Sequence, residues 1–460
     1  MSLLPSPPLL DETLRVVARR YRLPAMDADF SRLQRTNPES ALAILIEQAR
    51  VEMVHGESRD GALKREFVET LAQIVRKALR TESGDPLFQA MVLRHQTAQV
   101  REYASLSAQA DQDRRFVHAS VNAIAHPAKT ERILPGPHRE ALTELYERAR
   151  SASWLAVHDA VQRLFADADV ARQPSFQRAL MQLVASPALE RLQRLEALKS
   201  DDLVRQYESL LDRDGLRPGS SKAVAQGIAS QQRGCAAEAS ATQALEALAR
   251  RLNQAEGEAS FRVVTSMHVP ASIPASRERA KTEWDAVLLR HAKTVDHTAV
   301  WDICLLVEAK ASVDAATTDF ARLLRGLRLL ARAEENLVYS FQTRQGIVRV
   351  HGASLRTLPT DEASLTSTIL YCCDGPKEVA PRLLSAASRM QLLSAQGSLE
   401  FAGVLTATQH ADPRCLEPVW HQLLESPRYR SVLNQYPMLR LVRELMVHSE
   451  DLLAAVNGTA

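Results

Sequence analysis

The stretch Thr282–Ser312, TEWDAVLLRHAKTVDHTAVWDICLLVEAKAS, constrains the fold of this chain more than any other. Two apolar runs, Trp284–Leu289 and Val300–Ala309, flank a polar connection over Arg290–Thr298, and an antiparallel hairpin is the economical way to bury both. Three charges interrupt these runs: Asp285 follows Trp284, and Glu308 and Lys310 close the run Ile303–Val307. A charge inside an apolar strand is costly to desolvate unless it is paired or binds a metal. Residues 285 and 308 lie symmetrically about a midpoint between Asp296 and His297, so a hairpin closed there makes Asp285 and Glu308 cross-strand neighbours. Glu308 and Lys310 are two residues apart and share one strand face. Two carboxylates and a lysine so grouped form a compact hydrolytic site. The carboxylates suit Mg²⁺ or Mn²⁺, which take oxygen ligands. The lysine is placed to orient a nucleophile and to offset charge developing on a phosphate.

The flanks give this hairpin its setting. The first 214 residues contain four glycines and read as successive helices. Asn37-Pro38 and Ser186-Pro187 each place a capping side chain before a proline at the first helical position. After Asn37, Leu42, Leu45, Ile46 and Ala49 recur at helical spacing and define one buried stripe. After Pro137, Leu142, Leu145, Ala149 and Leu155 keep the same rhythm. The polar, turn-rich segment Asp212–Ser221 (DRDGLRPGSS) marks a domain boundary. Beyond it an alanine-rich helix is expected over about Lys222–Asn253, a strand over Phe261–Val269, then the hairpin and a helix over about Asp314–Ala333. Strands are expected over Asn336–Gln342, Gly346–His351 and Leu365–Cys373, and from about Pro381 the pattern is helical again. The expected fold class is α+β or α/β. Residues 222–380 form its core, 1–214 an all-helical domain of unknown role, and 381–460 a helical C-terminal region.

Helix, three-stranded meander, helix, strand, with Asp285 on the second strand and Glu308-Ala309-Lys310 on the third, resembles the PD-(D/E)xK nuclease superfamily, the restriction-endonuclease-like fold. The resemblance covers about residues 222–380. It implies a restriction-endonuclease-like core and a metal-dependent nuclease, with DNA the expected substrate by analogy, although some members cut RNA. It also implies roles residue by residue. Asp285 and Glu308 are the expected Mg²⁺ ligands, Lys310 positions water and stabilises charge, and Glu238, on the first core helix in RGCAAEASATQAL, assists the metal. No proline precedes Asp285, and the helix after the motif lacks the Gln-x-x-x-Tyr element of the RecB-like branch, so that branch is not assigned.

Composition sets outer limits. The 57 Lys+Arg against 55 Asp+Glu leave a net charge of +2, and no global positive field points to nucleic acid. Local basic groups are candidates instead. Arg277, Arg279 and Lys281 precede the second strand in a segment read as a mobile substrate-contacting loop. Arg322 and Arg325 follow on the next helix, read either as a phosphate grip or as an ordinary solvated face. Asp302 is read as a surface residue at its strand's start, and His118 and His126, eight apart, as structural. Five cysteines without C-x-x-C spacing argue against a zinc ribbon or a disulfide scaffold and fit a reducing cytosol; Cys372-Cys373 is read as buried and inert. No run approaches 18 apolar residues, and no basic segment followed by an apolar core opens the chain. The P-loop, dinucleotide-binding and nucleophile-elbow motifs are absent.

The expectation is therefore a cytoplasmic, bacterial nuclease whose partner is nucleic acid rather than membrane. The helical N-terminal domain is read as a site for a protein partner, and two cores pairing as a homodimer as a way to cut both strands. The alternative is a non-catalytic nucleic-acid- or protein-binding module on a nuclease-like fold, with an exported effector, toxin or defence protein as its setting.

Overall fold

The computed structural model describes residues 7–23, 36–56, 61–166, 174–213, 221–257, 259–295, 297–378 and 381–458. It is mixed α/β, mostly helical with one sheet, and it divides into two compact units. One comprises Met1–Thr70, Pro218–Arg389 and Trp420–Ala460, and the other Leu71–Arg217 and Met390–Val419. This partition differs from the expected one, because both ends of the chain join the sheet unit. Most of the expected boundary, residues 214–220, lies outside the described residues. No described helix is long and apolar enough to cross a membrane.

The second unit is helical throughout its described residues, and its longest helix, Ala98–Ala125, buries Val117 and Val121 among Leu145, Val157, Leu189 and Leu192. Ser186 caps its helix as the sequence suggests, accepting the N–H of Ala188 at 3.2 Å. Leu155 departs from the expected rhythm: it is half exposed and belongs to the next helix, Trp154–Phe165. His118 lies edge-on to Trp154, and His126 caps the short helix Pro127–Thr130.

The sheet unit begins with α1 (Pro8–Val16) and α2 (Pro38–His55). Asn37 accepts the N–H of Ser40 at 3.1 Å and starts α2. Every residue from Ala41 to Ile46 is buried, so α2 is surrounded rather than striped. Then come α3 (Ser221–Glu256), β1 (Phe261–His268), β2 (Glu283–Val295), β3 (Thr298–Lys310) and α4 (Val313–Leu330). The chain continues through β4 (Val338–Thr343), β5 (Gly346–His351), β6 (Ile369–Cys373), α5 (Gln435–Leu445), β7 (Met446–Val447) and α6 (Ser449–Asn457). Asn253 ties the end of α3 to β1, accepting the N–H of Phe261 at 2.7 Å and donating to its carbonyl at 3.0 Å.

The strands run β2-β1-β4-β5-β3-β6-β7, and β2 also pairs with β3. Five of them therefore close into a ring, which the sequence did not suggest. A single pair, His268 with Gln342, joins β1 to β4. β3 is long enough to serve two neighbours on one edge: Val300 and Trp301 pair with β5, and Leu306–Lys310 with β6, both in parallel. The hairpin has the expected register, Ala286 opposite Val307 and Val295 opposite Thr298. Its strands are longer than the apolar runs, however. Arg290–Thr294 is paired strand rather than connection, because its side chains are part-buried or exposed and polar residues suit a strand with one wet side. Asp296, at the expected midpoint, lies outside the described residues.

Alternation along the strands feeds two cores. Ala286, Leu288, Leu305 and Val307 pack with Ala241 and Leu245 of α3 and with Leu10 and Leu14 of α1. Val287, Leu289 and Leu306 pack with Phe320 and Leu323 of α4 and with Leu445 of α5. Cys372 and Cys373 are free, buried and point to opposite cores. These contacts explain the partition, since α1 and the last helices complete the two faces of the sheet. Tyr21 adds a tie, its hydroxyl donating to the carbonyls of Cys373, at 2.9 Å, and Gly375.

Gly326 marks the closest approach of α4 to the segment before β2. A Cβ there would stand 2.8 Å from both the Cβ and the carbonyl oxygen of Lys281. Gly326→Ala is expected to lower unfolding free energy by about 1–3 kcal/mol, the usual cost of overpacking. Urea titration measures this, and an unchanged midpoint would show that the segment yields freely.

Candidate active site

The expected residues meet where β2 begins and β3 ends. One step beyond the Ala286–Val307 pair, Asp285 comes opposite Glu308. Its Oδ2 accepts the backbone N–H of Ala309 at 2.9 Å, which fixes the carboxylate against β3. Glu308 is 0% exposed. Its Oε2 receives the ammonium of Lys310 at 3.2 Å and also that of Lys281. Its Oε1 is buried without a hydrogen-bond partner. Lys310 Nζ further lies 3.5 Å from Asp319 Oδ2 on α4 and 3.9 Å from Asp285 Oδ2. Tyr371, paired with Glu308 across β3 and β6, sets its hydroxyl 3.5 Å from the same Asp319 oxygen.

Electrostatics follow from this crowding. Burial, reinforced by the Asp285 carboxylate, pushes Glu308 up to about 8 against the pull of Lys281 and Lys310. Burial draws the Lys310 ammonium down, but Glu308, Asp285 and Asp319 together outweigh it, and the net shift is upward. Lys310 is therefore charged at neutral pH. Glu238 stands half-buried on α3, raised first by burial and then by Asp285. It lines the same cleft of about 440 Å³ as Asp285.

The donor set suits a hard divalent cation. Every acidic group in it offers carboxylate oxygen, and Glu308 Oε1 is a buried acceptor that only a cation, a proton or a donor can satisfy.

The basic residues proposed for substrate contact fare differently. Lys281 is not a loop contact. It is 5% exposed, its N–H donates to the carbonyl of Arg322 at 3.1 Å, and its ammonium lies against Glu308 Oε2. The segment read as a mobile loop is tied down at two further points. Arg277 donates to the carbonyl of Val269 and Arg325 to that of Arg279, each at 2.8 Å. Arg277, Arg279, Arg322 and Arg325 are exposed, and none lines the cleft. Asp302 is half-buried rather than superficial, with Oδ1 lacking a hydrogen-bond partner, and burial pushes its carboxyl upward.

Four residues enter the site or its rim in roles that sequence reasoning missed: Lys281, Asp319, Tyr371 and Arg344. Asp319 and Tyr371 sit inside amphipathic and apolar runs that look like plain structure. Arg344 occupies the β4–β5 turn and reaches the cleft only because the sheet closes on itself. A lysine four residues before Asp285 was the available signal for Lys281, yet that spacing carries no meaning without a helix. No protein-family model, curated protein sequence or solved structure matches the chain.

Proposed function

We propose that this chain is a metal-dependent nuclease that hydrolyses phosphodiester bonds in nucleic acid, DNA before RNA. Its restriction-endonuclease-like core is α3, β1–β3, α4 and β6. One observation carries the reading: Asp285 and Lys310 flank Glu308, whose Oε2 takes the lysine while its buried Oε1 lacks a partner. Mg²⁺ or Mn²⁺ would be held by Asp285 and Glu308 with Glu238 on the facing wall, and when bound it supplies Lewis acidity to the scissile phosphate.

The chain's own groups do the rest. The Ala309 N–H holds Asp285 in one orientation, so that carboxylate needs no reorganisation during reaction. Lys310, held among three carboxylates, keeps its proton and donates to the attacking water or to the phosphate oxygen that gains charge. Asp319 restrains Lys310 from α4 and is itself met by the Tyr371 hydroxyl of β6.

A second reading has its own support. Lys281 already places an ammonium on Glu308, and an ion-pair network of that kind also suits a non-catalytic binding module. Calorimetric titration with Mn²⁺ separates the two. The nuclease reading expects uptake by the wild-type protein that Asp285→Ala weakens at least about tenfold, in line with the loss of a metal ligand. Absence of uptake favours the binding module.

A further inference from the structure

We infer that the cleft receives an unpaired nucleic-acid strand, and that Arg344 on the β4–β5 turn grips a phosphate beside the scissile one. The inference rests on the nuclease reading and specifies its substrate. The first argument is access. Glu308 is fully buried and lines no part of the cleft, and the Asp285 side chain is 19% exposed, so a phosphodiester must descend to Asp285. The cleft through which Asp285 is reached has α3 as one wall and the β4–β5 turn as the other. Its volume of about 440 Å³ falls within the range of pockets that enclose one small molecule. That volume has room for about one nucleotide. An open sheet would leave the far side of this recess clear, but closure of the ring puts the turn there.

The second argument is charge. Among the residues lining the cleft, Glu238, Glu246 and Asp285 are acidic and Arg344 is the one cation. A polyanion entering between those carboxylates needs a positive partner outside the metal position. A guanidinium offers a planar fork of donors that matches a phosphate.

The third argument is preorganisation. The N–H of Arg344 donates to the carbonyl of Thr265 at 3.0 Å, and the N–H of Thr265 donates to Gln345 Oε1 at 2.9 Å. Gln345 Nε2 also donates to Thr265 Oγ1 at 3.1 Å. Gly346, at φ +103°, adopts the left-handed geometry the turn requires. The turn is thus clamped to β1 before any substrate arrives. Beside it Ser266, at φ 50°, drops out of the ladder between the Thr265–Ala286 and Met267–Trp284 pairs, next to Asp285.

The test is fluorescence anisotropy in EDTA, with one labelled oligonucleotide offered single-stranded or annealed to its complement. The wild-type protein is expected to bind the single strand at least about tenfold more tightly than the duplex. Arg344→Ala is expected to weaken single-strand binding by about tenfold with an unchanged melting temperature, and Arg344→Lys to recover part of it. Equal or tighter binding of duplex, indifference to Arg344→Ala, or no binding of either form overturns the inference. Arg344-dependent strand binding without metal-dependent cleavage removes the nuclease reading alone. Asp285-dependent cleavage that ignores Arg344→Ala removes this inference alone.

Discussion

Lys310→Ala is expected to slow metal-dependent cleavage by about 10²–10³-fold, the usual loss when one preorganised charge-stabilising donor is removed. Mn²⁺ binding is expected to survive, because the cation ligands are carboxylates and Glu308 keeps Lys281 as a partner. Lys310 stands 3.2 Å from Glu308, 3.5 Å from Asp319 and 3.9 Å from Asp285, a setting that costs burial and is offset only by three negative groups. A purely structural lysine there would shift stability and leave turnover intact. Single-turnover kinetics with saturating metal separates the roles: a loss in the chemical step assigns Lys310 to catalysis, whereas an unchanged rate with a lowered melting temperature assigns it to packing.

Glu308→Gln is expected to change how stability of the metal-free protein depends on pH. The carboxyl is raised from 4.5 to about 8 in the folded chain. Between those values the folded state holds a proton that the unfolded state has released. The stabilising contribution is complete below the unfolded value and is lost as pH rises through the folded one. The wild-type protein should therefore lose on the order of a few kcal/mol between about pH 5 and pH 8 from this group. Glutamine keeps the shape and an acceptor for the two lysines but cannot ionise, so that share of the slope should vanish. Denaturant titrations in EDTA across this range test it. Parallel curves for the two proteins would show that Glu308 ionises near its ordinary value, held charged by Lys281 and Lys310.

Much of the hairpin was legible because its two constraints are local. The symmetry of residues 285 and 308 about a short turn fixes register, and the observed pairs follow that register apart from two shifts. Strand ends were less legible: Arg290, His291 and Lys293 look like loop residues until cross-strand partners and a half-wet surface explain them. Closure of the ring was not legible at all. It rests on the pair of His268 with Gln342 and on the bonds from Thr265 to Arg344 and Gln345, long-range contacts that no local pattern encodes. Lys281 shows the same limit at the site. As a charge in a polar segment it looked like a surface group, and only Gly326 on a helix some forty residues later allows it to be buried. The joining of α1, α5 and α6 to the sheet was likewise hidden, since amphipathic helices show that a face is buried but not against what.

The most direct test of the account is cleavage of plasmid and single-stranded DNA by the purified full chain, in Mg²⁺ or Mn²⁺ and in EDTA, with Asp285→Asn run alongside. The account predicts cutting that requires the metal and disappears in the variant. Absence of cutting in every metal, on both substrates and on RNA, would contradict it, as would cutting that Asp285→Asn leaves untouched.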